Sequence, residues 1–145
     1  MAEEQQWQAG INTHENVLFS CFGGASNTGI TSGLACLEAV KELGLQKVAI
    51  MCLGGLPTSV KPVLGKTGAA KKVITVDGCP FECSRKIVEQ AGFKPISIVL
   101  TRDISMKKKG LSEDIGKELK GVMEYISDDE VKKAKELIIN TIMKE

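Results

Sequence analysis

Short apolar runs alternate with longer amphipathic stretches over the first two thirds of the chain. Four runs are apolar almost throughout, as expected of buried strands; they span residues 16–21, 47–53, 72–76 and 95–100. The stretches between them repeat apolar residues at helical spacing and predict helices over 26–43, 58–70 and 80–90. Such alternation is typical of parallel α/β proteins. We therefore predict a three-layer, Rossmann-like open sheet of about four parallel strands, with helices on both faces and right-handed crossovers.

After Thr101 the pattern is helical only. Ser112 begins one predicted helix, which runs to Ile126, and Ser127–Glu130 has the sequence of a capping box for a last helix. The last helix carries an apolar stripe, formed by Val131, Ala134, Leu137, Ile138 and Ile142. This stripe predicts docking onto the sheet, and a dimer contact is the alternative.

The length of 145 residues fits one domain with a core of its own. We predict a flexible arm over residues 1–14, with a solvated His14, and a single α/β domain over 15–145. A formal net charge of +1 gives no reason to expect nucleic acid as a partner. No apolar run approaches the ~20 residues that span a membrane, so no membrane partner is expected either.

The start of the chain lacks the basic and apolar segments of a signal peptide, so we expect a cytoplasmic protein. Thiols stay reduced in that compartment. The five cysteines are also an odd number, which pairing cannot use up. Metal or thiol chemistry is therefore favoured over a disulfide framework.

Four of the cysteines come at or just beyond the carboxyl ends of predicted strands. Cys21 ends the first strand, Cys52 lies at the end of the second, Cys79 follows the third, and Cys83 is one helical turn further on. In an open parallel sheet these strand ends form one edge, where ligands bind. We therefore predict that the four thiols converge on a shared site. Cys36 falls in the middle of a predicted helix, where cysteine acts as a small hydrophobic residue.

The segment Asp77-Gly-Cys-Pro has the local features of a turn that leads into a helix. Gly78 permits a sharp turn, and Pro80 suits the first helical position, which makes Cys79 the predicted N-cap. Cys79 and Cys83 would then share one helix face near its N-terminus, where the helix dipole favours thiolates. Tetrahedral sulfur coordination suits zinc or an iron–sulfur cluster. Asp77 is predicted to orient a ligand or act as a base, or to cap the turn.

A glycine-rich loop follows the first predicted strand. Residues Gly24 to Thr31 have the spacing of a phosphate-binding loop, but Ile30 stands where the lysine belongs. The loop therefore predicts either an anion site of backbone N–H groups or a tight turn close to the cysteines, with side chains that donate hydrogen bonds to sulfur. The candidate residues are Gly23, Gly24, Ser26, Asn27 and Thr28.

A basic run, Lys107–Lys109, is predicted near the same edge. It is either a solvated loop or a site that attracts a small anion or an acidic partner. Arg102 and Asp103, just past the fourth strand, are further candidates for contacts around the site.

Three segments together resemble the DGC-domain family, small prokaryotic proteins named for an Asp-Gly-Cys motif. The segments are SCFGGASNTG, the cysteine in MCLGG, and VDGCPFECSRKIVEQAGF. The resemblance covers about residues 16–109 and leaves 110–145 as a helical extension. Members are described as zinc-binding because of four candidate chelating cysteines, which the resemblance assigns to Cys21, Cys52, Cys79 and Cys83. The family has no firmly assigned reaction.

The sequence thus predicts a metal-binding protein with one zinc ion held by four thiolates at the carboxyl edge of the sheet. Four protein ligands favour a structural or carrier role over hydrolysis, which needs an open coordination position. Two alternatives stay open. One is a thiol-redox or sulfur-transfer enzyme that uses Cys79 or Cys83; the other is an iron–sulfur protein for electron transfer or sensing.

Overall fold

Four short strands form one parallel sheet in the computed structural model, which describes residues 6–145. In chain order they are β1 (Asn16–Ser20), β2 (Val48–Ile50), β3 (Lys72–Asp77) and β4 (Ile96–Val99). Their spatial order is β2-β1-β3-β4, so β1 and β3 lie at the centre. The predicted α/β class and parallel sheet are confirmed. The second strand is shorter than predicted, because the chain turns after Met51 into a 3₁₀ helix, Leu53–Gly55.

Five α-helices accompany the sheet: α1 (Asn27–Leu43), α2 (Lys61–Ala69), α3 (Cys83–Gln90), α4 (Leu100–Asp103) and α5 (Asp128–Met143). Ser26 caps α1, since its Oγ accepts the N–H of Gly29 at 3.1 Å. Ser127 caps α5 through the N–H of Glu130 at 3.3 Å. Both caps match the side-chain pattern in the sequence. No helix in residues 6–145 is long and apolar enough to cross a membrane.

Two apolar clusters cover the two faces of the sheet. On one face Leu18 packs with residues of α1 and α5, including the fully buried Ala35 and Ile138. On the other face Val17 and Phe19 pack with residues of α2 and α3. Neighbouring residues of β1 point to opposite faces, as the strand period requires. The sheet is therefore the middle of three layers, and the apolar stripe of α5 docks within the domain.

The helix predicted over 112–126 is absent, and that prediction is wrong. Two 3₁₀ turns, Leu111–Asp114 and Val122–Tyr125, stand in its place. Gly116 has a φ of +86°, which an α-helix cannot contain, and Gly121 is extended at φ −63° and ψ 146°. Glycine enters such conformations at little steric cost and weakens helix interiors, so two glycines here outweigh the helical spacing.

Residues 6–14 contact the domain, while residues 1–5 of the predicted arm lie outside the described part of the chain. Trp7 packs against Gly65 of α2, and the Lys66 ammonium lies 4.7 Å from its ring centroid. His14 is hydrogen-bonded through Nδ1 to the carbonyl of Leu45.

Candidate functional site

The strand order places the loops after β1 and β3 next to each other. Because β2 lies on one side of β1 and β4 on the far side of β3, the order reverses between the two central strands. Such a switch point is where open α/β sheets bind ligands. Cys21 directly follows β1, Cys79 lies two residues beyond β3, and both are half-buried. The two cysteines thus flank the switch point, at the carboxyl edge where the sequence predicts them.

Cys52 lies at the same edge but further out. It follows β2, an edge strand that is separated from β3 by β1. Strands in a sheet are about 4.8 Å apart, so the ends of β2 and β3 are separated by roughly 10 Å. Cys52 and Cys83 are both exposed, unlike Cys21 and Cys79.

The turn that carries Cys79 differs from the prediction. Helix α3 begins at Cys83 rather than Pro80, so Cys79 is not its N-cap and the two thiols do not share a helix face. The carbonyl of Cys79 instead accepts the N–H of Glu82 at 3.2 Å. This bond closes a β-turn with Pro80 at its second position, which proline also favours. Glu82 then has a φ of 50°, an uncommon left-handed conformation that precludes a continuous helix from Pro80.

The cap of α3 comes from Asp77, at the end of β3. Its carboxylate is 1% exposed and accepts the N–H groups of Ser84 at 2.8 Å and Arg85 at 3.2 Å. These donors belong to the first turn of α3 and lack partners within the helix. Among the roles predicted for Asp77, the structure shows capping. The carboxylate caps helix α3, whereas the prediction had it capping the turn that it belongs to. Burial raises the pKa of Asp77, and its hydrogen bonds with the two N–H groups only partly oppose this.

Cys21 interacts electrostatically with the other thiols of the switch point. Burial raises the pKa of the Cys21 thiol, and the charges of Asp77, Cys83 and Cys79 raise it further. The backbone N–H of Gly23 donates to the sulfur and opposes the rise. Cys52 is not among these neighbours. An apolar and anionic environment keeps a thiol protonated, and a bound cation would reverse that preference.

Cys36 has the structural role that the sequence predicts. It is 0% exposed and lies in the core between the sheet, α1 and α5. Burial raises its pKa to about 12. It therefore serves as an internal control for experiments on the other thiols.

The glycine-rich loop packs tightly on the Asp-Gly-Cys turn. A side chain at Gly78 would overlap the backbone of Thr28, and one at Gly29 would overlap the carbonyl of Gly23. The first turn of α1 is therefore in backbone contact with both loops of the switch point. This packing agrees with the tight turn rather than with an open phosphate cradle. Gly24 faces open space, with no heavy atom within 4 Å of the position of a Cβ.

The polar side chains of this loop make hydrogen bonds within the protein. Ser26 caps α1, and Thr28 is buried with its Oγ1 at 3.4 Å from the Ser26 Oγ. The Asn27 side chain donates to the carbonyl of Lys107 at 2.9 Å and accepts the N–H of Lys109 at 2.7 Å. Hydrogen bonds from these side chains to a sulfur atom stay a prediction.

Asn27 thereby fixes a segment that sequence reasoning did not connect with the loop. Residues 107–111, here called the strap, form an antiparallel bridge through Gly110 to Ser26. The N–H of Leu111 donates to the carbonyl of Ala25 at 2.8 Å. The partners in these contacts are 80 or more residues apart in sequence, so no local pattern could have indicated the contact.

The predicted candidates Arg102 and Asp103 pair with each other. The Arg102 Nε lies 2.8 Å from the Asp103 Oδ1 and lowers the pKa of that carboxyl. Asp103 also accepts the N–H of Val99 at 2.9 Å. The pair therefore stabilises the end of β4.

The described residues do not form a ready metal site. Within residues 6–145, no three side chains of His, Cys, Asp or Glu are grouped closely enough to hold a metal ion. The four thiols of the carboxyl edge have the donor chemistry for zinc or an iron–sulfur cluster. Their geometry does not fit either group without movement of the loops that carry them.

A comparison with protein families agrees with this arrangement of motifs. The chain has no significant match among curated proteins or solved structures. The family model described as the DGC domain matches residues 17–138. The match extends beyond residue 109 and into α5. The chain therefore belongs to the DGC-domain family.

Proposed function

We propose that this chain binds a soft metal ion, zinc in the first place, through the thiolates of Cys21, Cys52, Cys79 and Cys83. The observation that supports the proposal best is the switch point itself. There Cys21 follows one central strand, and Cys79 and Cys83 follow the other. The charges of both raise the pKa of Cys21, so both thiols are within electrostatic range of it. A cytoplasmic location would keep them reduced.

The proposal requires movement on binding, because no three donors are grouped at present. The turn 78–82 and residues 51–52 would have to approach Cys21. Exposed Cys52 and Cys83 are accessible to an exchange partner. Their exposure favours a carrier role over a purely structural one.

Zinc titration of the reduced, metal-free protein against a chromophoric chelator tests this proposal. We expect one zinc ion per chain. Loss of a residue that only hydrogen-bonds to a metal ligand typically weakens metal binding ~10–100-fold. Serine at any of the four cysteine positions removes a ligand itself and should weaken zinc binding by more than this. Cys36→Ser is the matched control and should bind as the wild type does. If the four variants bind zinc as tightly as that control, the proposal is wrong.

Thiol chemistry is the second candidate, and the exposure of Cys83 at the first position of α3 favours it. A helix N-terminus supports thiolates, although Asp77 already occupies two N–H groups there. Mild oxidation should then yield a specific disulfide at Cys83 in a protein that binds no metal. An iron–sulfur protein would instead be brown and contain iron with acid-labile sulfide.

A further inference from the structure

Hydrogen bonds hold the strap, residues 107–111, against the loop that follows β1. Asn27 bonds to it at two points, Gly110 bridges to Ser26, and Leu111 bonds to the carbonyl of Ala25. On its other side the Lys108 Nζ lies 4.7 Å from the centroid of the Phe81 ring. The strap therefore connects the loop after β1 with the turn that carries Cys79 and Cys83.

The strap presents two lysines that no carboxylate of the described residues neutralises. Lys109 pairs with Asp114 at 3.2 Å, whereas Lys107 and Lys108 have no ion pair within residues 6–145. In the neighbouring turn, Glu82 is already paired with Arg85 at 2.9 Å. Glu113 remains beside the strap, and two lysines outweigh it. The surface is therefore locally positive although the whole chain has a net charge of only +1.

Exposed aromatic side chains lie next to these lysines and to the thiols. Phe81, between Cys79 and Cys83, is 64% exposed, and Phe22, directly after Cys21, is 60% exposed. The chain has only four phenylalanines, so two exposed rings beside the thiols are a large share. Aromatic residues, phenylalanine among them, are enriched in protein interfaces.

We propose that Lys107, Lys108 and Phe81 form a docking surface for an acidic segment of a partner protein. Charge complementarity identifies the occupant, since the lysines attract carboxylates and increase the rate of encounter. Phe81 supplies an apolar contact, which a peptide can use and a small anion cannot. Because the strap is already fixed by backbone and side-chain hydrogen bonds, little ordering is required on binding. This inference does not depend on metal binding by the thiols.

A fluorescein-labelled peptide of alternating glutamate and leucine is a suitable probe. Its binding to the full chain is measured by fluorescence anisotropy at low and at physiological salt. We expect Lys108→Glu to weaken binding by about tenfold or more and Phe81→Ala by at least about threefold, in line with the loss of interface hot spots. Amide shift changes in NMR spectra should map to residues 79–86 and 107–111. A zinc chelator should leave peptide binding by the wild type unchanged, which separates this inference from the proposed function.

Lys133→Glu is the matched control, because Lys133 is an exposed residue of α5 and has no ion pair within residues 6–145. Equal weakening by Lys133→Glu would show nonspecific charge attraction and overturn the proposal. Displacement of the peptide by millimolar inorganic phosphate at constant ionic strength would identify a small-anion site and also overturn it. Amide shift changes confined to other surfaces of the protein would also overturn the proposal.

Discussion

Replacement of Asp77 by alanine should destabilise the fold through the start of α3. The change removes a buried carboxylate that accepts two backbone N–H groups, at 2.8 Å and 3.2 Å. Alanine leaves these two N–H donors at the start of α3 without an acceptor, and each such loss costs about 1–3 kcal/mol. Removal of the buried carboxylate also ends the cost of burying it, which reduces the total. We therefore expect a loss of about 2–4 kcal/mol in the free energy of unfolding.

Urea denaturation followed by circular dichroism measures this loss. Asp77→Asn should cost less, about 1–2 kcal/mol, because the amide oxygen still accepts one N–H. Glu118→Ala, at an exposed position outside regular structure, is the control and should stay within about 0.5 kcal/mol of the wild type. A loss below about 0.5 kcal/mol for Asp77→Ala would refute the assignment of Asp77 as the cap.

The pH dependence of the free energy of unfolding, compared between the wild type and Asp77→Asn, tests the electrostatics of the site. Burial raises the pKa of Asp77 above its ordinary value of 3.8, so the folded state holds the proton more tightly than the unfolded state. The contribution of this group to stability is fully present below about 3.8 and is lost as the pH rises through the folded pKa. The wild type should therefore lose stability relative to Asp77→Asn as the pH rises from about 3.8 toward neutrality. A constant or opposite difference would contradict the stated cause.

Three further predictions concern packing and thiol exposure. Lys72→Met should lower the free energy of unfolding by about 1–2 kcal/mol, because the Lys72 ammonium donates to two carbonyls at the end of α5, at 2.9 and 3.0 Å. Lys133→Met is the control in the same denaturation assay and should leave stability nearly unchanged. Gly78→Ala should lower the free energy of unfolding by about 1–3 kcal/mol, because the added Cβ overlaps the backbone of Thr28. Gly24→Ala is the control and should be nearly neutral, because open space surrounds Gly24. Equal losses of stability in the two variants would contradict this packing. In alkylation followed by mass spectrometry, Cys36 should react only after unfolding, because it is fully buried and its pKa is raised to about 12. Labelling of Cys36 in the native protein would contradict this prediction.

The positions of the cysteines were predictable where they depend on strand ends. Cys21 and Cys52 follow apolar runs, and parallel topology then places them at one edge. The sequence also indicated Cys36 as a core residue from its place within α1. These predictions depend on hydrophobic periodicity, the primary structural signal in a single sequence, and on the parallel topology that it indicates.

Other parts of the site depend on contacts between distant residues. Pro80 suits a helix start and a turn equally well. In the structure α3 begins only after the turn, and Asp77 caps it through the N–H of Ser84, seven residues further along the chain. The basic run of the strap was predicted near this edge, but its contact with the glycine-rich loop was not, because the bonds to Asn27 connect residues 80 and 82 positions apart. Helical spacing over 112–126 was misleading because Gly116 adopts a positive φ.

The most direct test of the metal-binding proposal is elemental analysis of the protein purified under anaerobic conditions. Our account predicts about one zinc ion per chain. It also predicts a clear loss of zinc in Cys83→Ser. Protein with all its thiols reduced and no bound zinc or other soft metal would contradict the account.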